Sequence, residues 1–305
     1  MRAYTFVVNP HAAGGTGARA AVPVARLLRD AGAAVELVHS TGIAATEATV
    51  SGAVARGDVV VAVGGDGMVS SMAGQVSARG GTFGLVPAGR GNDFCRMLEM
   101  PQDPAALAAM LLEGPATAVD LLRVDVPGGP SRVVAGAAYA GVDAQAAEIV
   151  DGVQWLPGRL QYPWAAVRAL ATYAPADLRL VVDGEALDFT AAQVCVANSA
   201  YYGKGMQIAP GASVTDGMLD AVVIEAKSRI RLIRSLPRVY DGSHADLEAV
   251  HVLRGRRFEV TATPRRGLRL PIGGDGEPLG RVPRLDEDPI VVEAMPGALT
   301  VLLPR

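Results

Sequence analysis

The apolar positions of the first hundred residues switch repeatedly between two periods. Tyr4–Val8 is a short, mostly β-branched run that stops at Asn9-Pro10 and a cluster of glycines at 14, 15 and 17. From Ala18 to Ala31 the apolar residues Val22, Ala25 and Leu28 fall on one helical stripe, and Gly32 is placed to close that helix. Ala34–Val38 predicts the next strand and Thr46–Arg56 the next helix. Val59–Val63 is wholly apolar, as a parallel strand buried on both faces must be. Gly64-Gly65-Asp66-Gly67 ends it, a helix is predicted over Met68–Ala78, and Phe83–Val86 is another strand. Strand, turn and helix in this recurring order predict an α/β domain with a parallel sheet covered by helices.

After about Val119 the pattern changes to short strands separated by turn residues. Strands are predicted at Leu121–Val126, Arg132–Tyr139, Leu178–Val182, Gln193–Ala197, Leu219–Ile224, Phe258–Thr263, Val291–Ala294 and Leu299–Leu303. Pro127-Gly128-Gly129-Pro130, Asp183-Gly184 and Pro296-Gly297 read as turns. Two helices, Leu160–Tyr173 and about Arg229–Tyr240, interrupt a mainly antiparallel β-sandwich. The expected division is 1–122 and 123–305, with the last strand, about 296–305, able to return to the first part.

Composition narrows the functional classes. Half of the residues are hydrophobic and 19% charged, enough for a sizeable core. A net charge of −3 gives no general attraction to nucleic acid. The basic residues are arginines apart from Lys204 and Lys227. Cys95 and Cys195, far apart and outside any metal-binding spacing, fit a reduced, cytoplasmic setting. No apolar stretch reaches the roughly 18–20 residues that span a bilayer, so membrane contact is expected to be peripheral.

The candidate chemistry lies in three glycine-rich turns, each at the carboxyl end of a predicted parallel strand, where open α/β sheets bind ligands. They are Asn9-Pro10-His11-Ala12-Ala13-Gly14-Gly15, Gly64-Gly65-Asp66-Gly67 and Pro87-Ala88-Gly89-Arg90-Gly91-Asn92-Asp93-Phe94. Glycines let the backbone approach a ligand, and their N–H groups with a helix N-terminus make an anion site suited to phosphates. Asp66 is then a carboxylate beside phosphates, which makes sense with a metal ion between them. The alternative is a tight turn with Asp66 as helix cap.

These turns, with Ala197-Asn198-Ser199, Gly203-Lys204-Gly205-Met206, Ala209-Pro210-Gly211-Ala212, Asp216-Gly217-Met218-Leu219-Asp220 and Asp275-Gly276-Glu277, resemble the diacylglycerol kinase catalytic-domain family, in particular the bacterial soluble lipid kinases. The resemblance covers nearly the whole chain. It implies an N-terminal nucleotide domain similar to those of NAD kinases and phosphofructokinases, and a C-terminal β-sandwich with ATP and lipid meeting between the two. It implies ATP contacts at Asn9, Pro10, His11, Ala12, Ala13, Thr41, Gly64, Gly65, Asp66, Gly67, Met68, Arg90, Asn92 and Asp93. Glu277 matches the family's proton acceptor, with Asp275 supporting metal or nucleotide and Asp66 at the metal-phosphate cluster. Ser213, Asp216 and Met218 match a Mg²⁺ site. Met68, Ser70, Ser71 and Arg90 depart from the family's usual Thr, Asn, Glu and Thr.

The expected activity is ATP- and Mg²⁺-dependent phosphorylation of a lipid hydroxyl, diacylglycerol to phosphatidic acid in the simplest case, at a membrane surface. Kinase action on another alcohol, or a nucleotide-sensing module without catalysis, stays open, as does a homodimer. The apolar residues of 156–173 and the arginines 229, 231, 234 and 238 fit either internal packing and a solvated helix face or contact with lipid.

Overall fold

The computed structural model describes residues 2–10, 15–153, 156, 158–267 and 269–305. Its first part alternates β1 (Tyr4–Val8), α1 (Thr16–Asp30), β2 (Val35–His39), α2 (Ile43–Arg56), β3 (Val59–Gly64), α3 (Asp66–Ser77), β4 (Thr82–Pro87), α4 (Asp93–Met97) and α5 (Pro104–Glu113). The strands lie in the order β4-β3-β1-β2, all parallel. Every residue of β1 and β3 is buried, which is why both read as unbroken apolar runs. α1 packs with α5, and α2 with α3. Gly32 takes the left-handed conformation, φ +87°, two residues beyond Asp30, the last residue of α1.

The second part continues with β5 (Ala116–Asp125), β6 (Arg132–Val134), β7 (Ala137–Gly141), α6 (Val142–Asp151), α7 (Gly158–Thr172), β8 (Ala176–Val182), β9 (Glu185–Ala197), β10 (Leu219–Glu225), α8 (Arg229–Ser235), β11 (Val250–Gly255), β12 (Arg257–Pro264), β13 (Pro271–Gly274), β14 (Glu277–Arg281) and β15 (Ile290–Leu302). The order β14-β13-β7-β9-β8-β12-β15 is antiparallel throughout, with β10 and β11 branching from β9 and β5 pairing with β15. Leu122, Leu178, Leu180, Val196, Leu219 and Phe258 belong to the sandwich core. At its far end β15 also pairs in parallel with β4, Thr300 opposite Thr82 and Val301 opposite Phe83. The α/β part and the β-sandwich thus share hydrogen-bonded strands.

Several local expectations need correction. Arg132–Tyr139 is two strands, because the N–H groups of Ala135, Gly136 and Ala137 leave the ladder for the Asp275 carboxylate. Val291–Ala294 and Leu299–Leu303 are one strand, and Pro296-Gly297 is a bulge in it. The helix predicted to Tyr240 ends at Ser235 and tightens into a 3₁₀ turn, Leu236–Val239, at Pro237. The elements α4, α5, α6, β11, β13 and β14 have no counterpart among the predicted ones.

Asp120 holds the β15 bulge. It is 3% exposed, and its two oxygens accept the N–H groups of Gly217 and Gly297, each at 2.7 Å. Substitution Asp120→Ala leaves two N–H donors without an anionic acceptor, and charge-assisted bonds contribute about 1.5–3 kcal/mol apiece. The expected result is a stability loss of about 3–5 kcal/mol in urea titration, far above the roughly 0.5 kcal/mol of a neutral surface change.

Candidate active site

β3 delivers Gly64–Gly67 and β4 delivers Gly89–Asp93 to the same end of the parallel sheet, so the two glycine turns meet. A Cβ on Gly89 would stand 2.4 Å from the Gly65 Cα, a separation only glycine allows. Asp66 begins α3 but does not cap it. Its carboxylate crosses to the neighbouring turn, accepting the N–H of Asn92 at 2.9 Å and of Asp93 at 2.7 Å. Asn92 is left-handed, φ +54°, and its amide folds back on Gly89, receiving the Gly89 N–H at 2.8 Å and donating to the Gly89 carbonyl at 3.1 Å.

The next carboxylate reaches into the sandwich. Asp93 accepts the N–H groups of Lys204 at 2.8 Å and Gly205 at 2.6 Å. Burial first, then the Asp66 charge, push its carboxyl above the usual range, and the two N–H bonds oppose them. Arg96 lies over the Tyr201 ring, 5.7 Å from its centroid, and fastens the same two loops.

The β13–β14 hairpin closes the other side. Asp275 (φ +46°) and Gly276 (φ +88°) form its two-residue turn. The turn aims the two carboxylates differently. Asp275 accepts N–H groups from Ala135 at 3.0 Å, Gly136 at 2.8 Å and Ala137 at 3.0 Å, and the Ser70 hydroxyl joins the cluster. Burial pushes its carboxyl up to about 6 against those bonds. Glu277 is exposed and lies against the start of α3, where a Cβ on Gly67 would be 2.6 Å from its Oε1.

Together these loops enclose a cavity of about 570 Å³. Asn9, Gly65, Asp66, Gly67, Met68, Arg90, Asp93, Asp275 and Glu277 all line it. Pro10 and Thr41 are exposed and do not, and Gly64 and Asn92 shape its turns from behind. His11, Ala12 and Ala13 lie outside the described residues. Ser213, Asp216 and Met218 are elsewhere: Asp216 accepts the Met218 N–H at 3.0 Å and is bonded to the Arg254 guanidinium, which already supplies the positive charge a cation would bring. As arranged here, that turn does not fit a metal ion. Among the described residues no group of three or more His, Cys, Asp or Glu is gathered to hold one.

Sequence reasoning gave no role to Lys204, Tyr139, Tyr202 or α6, all of which reach the cavity. Lys204 had a signal, being one of only two lysines in an arginine-rich chain. Its ammonium is pushed down by burial and then by Arg90, so two cations share the site. A second cavity of about 400 Å³ adjoins, with Tyr202 in the wall of both. There Asp143 accepts bonds from the Tyr202 hydroxyl and the Gln193 amide, and burial pushes it up to about 6.

Residues 3–124 match the diacylglycerol kinase catalytic domain family, and residues 136–303 match the YegS C-terminal NAD kinase beta sandwich-like domain. The chain is 31% identical to a diacylglycerol kinase of Mycobacterium tuberculosis (strain ATCC 25618 / H37Rv), covering 99% of this chain and 95% of that one. It is 24% identical to a diacylglycerol kinase of Bacillus subtilis (strain 168), covering 80% of each. A crystal structure of a diacylglycerol kinase from Bacillus anthracis str. Sterne has the same fold, with a TM-score of 0.73 at 20% identity over 99% of this chain and 97% of that chain.

Two outcomes follow from this geometry. Gly89→Ala forces the two glycine turns apart, and calorimetric titration with ATP is expected to show affinity at least about tenfold weaker, about 1.4 kcal/mol, with the far-ultraviolet spectrum unchanged. Asp143 binds its proton more tightly folded than unfolded, so its share of stability falls as pH rises from about 4 to about 6 and is level above. Asp143→Asn, which keeps an acceptor oxygen, is expected to gain about 1–3 kcal/mol on the wild type across that window, read as the difference in urea midpoints.

Proposed function

The chain belongs to the diacylglycerol kinase catalytic-domain family, ATP-dependent lipid phosphotransferases, and from that premise we propose that it transfers the γ-phosphoryl group of ATP to the hydroxyl of diacylglycerol, giving phosphatidic acid. The observation that carries the reading is the 570 Å³ cavity in which two glycine turns, two cations and the exposed Glu277 converge.

The ATP phosphates lie against Gly65–Gly67 and the N-terminus of α3, where backbone N–H groups and the helix dipole favour anions. Arg90 and Lys204 neutralise the charge that spreads over the transferring group. Arg90, in place of a neutral residue, adds a forked, charge-assisted donor, and Met68 contributes packing against Gly64 instead of a hydrogen bond. Mg²⁺ bound with the nucleotide supplies further charge neutralisation, and Asp66, a hard oxygen donor on the cavity wall, is the residue that would hold it. Asp66 also fixes the Asn92–Asp93 turn, so it positions as well as binds.

Glu277 takes the acceptor's hydroxyl proton as the phosphoryl group moves. Asp275 is the weaker candidate, because its oxygens already face three N–H groups and the Ser70 hydroxyl. It positions the hairpin that carries Glu277. No helix among the described residues is long and apolar enough to cross a membrane, and the enzyme works on its lipid peripherally.

Radiolabelled ATP with a total lipid extract, followed by identification of the labelled product, tests the reading. Labelled phosphatidic acid supports it, and label only in another alcohol reassigns the acceptor. Glu277→Gln is expected to slow the single-turnover step by about 10²–10⁴-fold with ATP affinity retained. A rate within a few fold of wild type would move the proton to another acceptor.

A further inference from the structure

We propose that Tyr139 is a positioning residue for the reaction and fixes the direction in which Glu277 faces the cavity. The proposal rests on the reading of Glu277 as the proton acceptor and adds what holds that carboxylate in place. The Asp275 clamp stops one residue short of it. Gly276 stands between the two acidic residues, and a glycine at φ +88° leaves the chain free to pivot there. β14, which begins at Glu277, is a largely exposed edge strand whose register with β13 shifts between Ile272 and Gly273.

Tyr139 holds the glycine at this pivot. The two central residues of a two-residue turn do not bond across the hairpin, so their N–H groups need other acceptors. β7 supplies both. The Ala137 carbonyl accepts the Asp275 N–H at 3.3 Å, and the Tyr139 hydroxyl accepts the Gly276 N–H at 3.2 Å. Tyr139 reaches the turn because Gly273, its partner across the β7–β13 pairing, has no side chain; a Cβ there would stand 3.1 Å from the ring. The ring also meets that of Tyr202, with centroids 5.7 Å apart, and Tyr202 is held by Asp143 and by the Gln193 amide at 3.2 Å. Tyr139 is 8% exposed and lines the 570 Å³ cavity. Burial, then the Asp275 charge, push its hydroxyl well above the usual range, so it stays a neutral phenol and takes no proton from the acceptor itself. Gly276 is exposed, so water can accept its N–H where Tyr139 cannot. The bond therefore adds little to stability, and what it sets is the place of the turn. A misplacement of about 1 Å at a reacting group can cost about 10²-fold in rate.

Tyr139→Phe keeps the ring and removes the acceptor. Hydrogen exchange of the 271–281 hairpin, followed by mass spectrometry, needs no turnover and is expected to quicken about tenfold or more, with ATP affinity retained. The single-turnover rate with dioctanoylglycerol in mixed micelles is expected to fall about 10–10²-fold. The same substitution added to Glu277→Gln is expected to slow that variant by less than about threefold, because the group it aims can no longer take the proton. Unchanged exchange of the hairpin, or a wild-type rate in Tyr139→Phe, overturns the proposal. So does an equal loss on both backgrounds, which makes Tyr139 act by a route other than Glu277. No turnover of dioctanoylglycerol by the wild type, or near wild-type turnover by Glu277→Gln, overturns the underlying reading and the proposal with it, even where hairpin exchange has quickened.

Discussion

Buried and half-buried carboxylates that bind backbone N–H groups hold this molecule's active face together. Asp66 fixes the Asn92–Asp93 turn, Asp93 fixes Lys204–Gly205, Asp275 fixes Ala135–Ala137, and Asp120 fixes Gly217 and Gly297. Each joins segments remote in sequence, and Asp93 links the α/β part to the sandwich. An anion withdrawn from water is costly unless donors replace the lost hydration. Here the donors are main-chain groups, whose positions are set by the loops they hold. Removing one carboxylate therefore releases a loop as well as a charge.

Glycine makes these clamps possible at close range. The Gly65 and Gly89 backbones touch, Glu277 occupies the space a side chain at Gly67 would fill, and Asp275 does the same at Gly136. The surface at the glycine turns is thus mostly backbone, with its charged side chains placed around it. That division suits phosphoryl transfer, which depends on positioning and charge stabilisation more than on covalent chemistry.

β15 gives the clamps a common frame. It pairs with β12 and β5 in the sandwich and with the start of β4, the strand that ends in the second glycine turn. The cavity at the glycine turns takes its walls from both parts of the chain, whereas the second cavity, which shares Tyr202 with it, is walled by the sandwich part alone. One is lined by glycine backbone and charged side chains, the other mainly by hydrocarbon.

The fold class was legible because buried parallel strands and half-buried antiparallel strands impose different apolar periods, and both periods are present. The glycine turns were legible because close backbone approach excludes every other residue, and the resemblance named Glu277, Asp66 and Asp93 from their motifs. What the sequence could not express was partnership. Nothing local shows that Asp66 crosses to Asn92 instead of capping α3, that Asp275 interrupts the strand between Val134 and Ala137, or that Arg254 bonds Asp216 in the turn read as a metal site. Nor does local pattern reveal that Lys204 and Tyr202 reach the cavity. A side chain's partners depend on which distant segments the sheet brings beside it, so tertiary structure alone decided which carboxylates clamp the loops and which one is left exposed on the cavity wall.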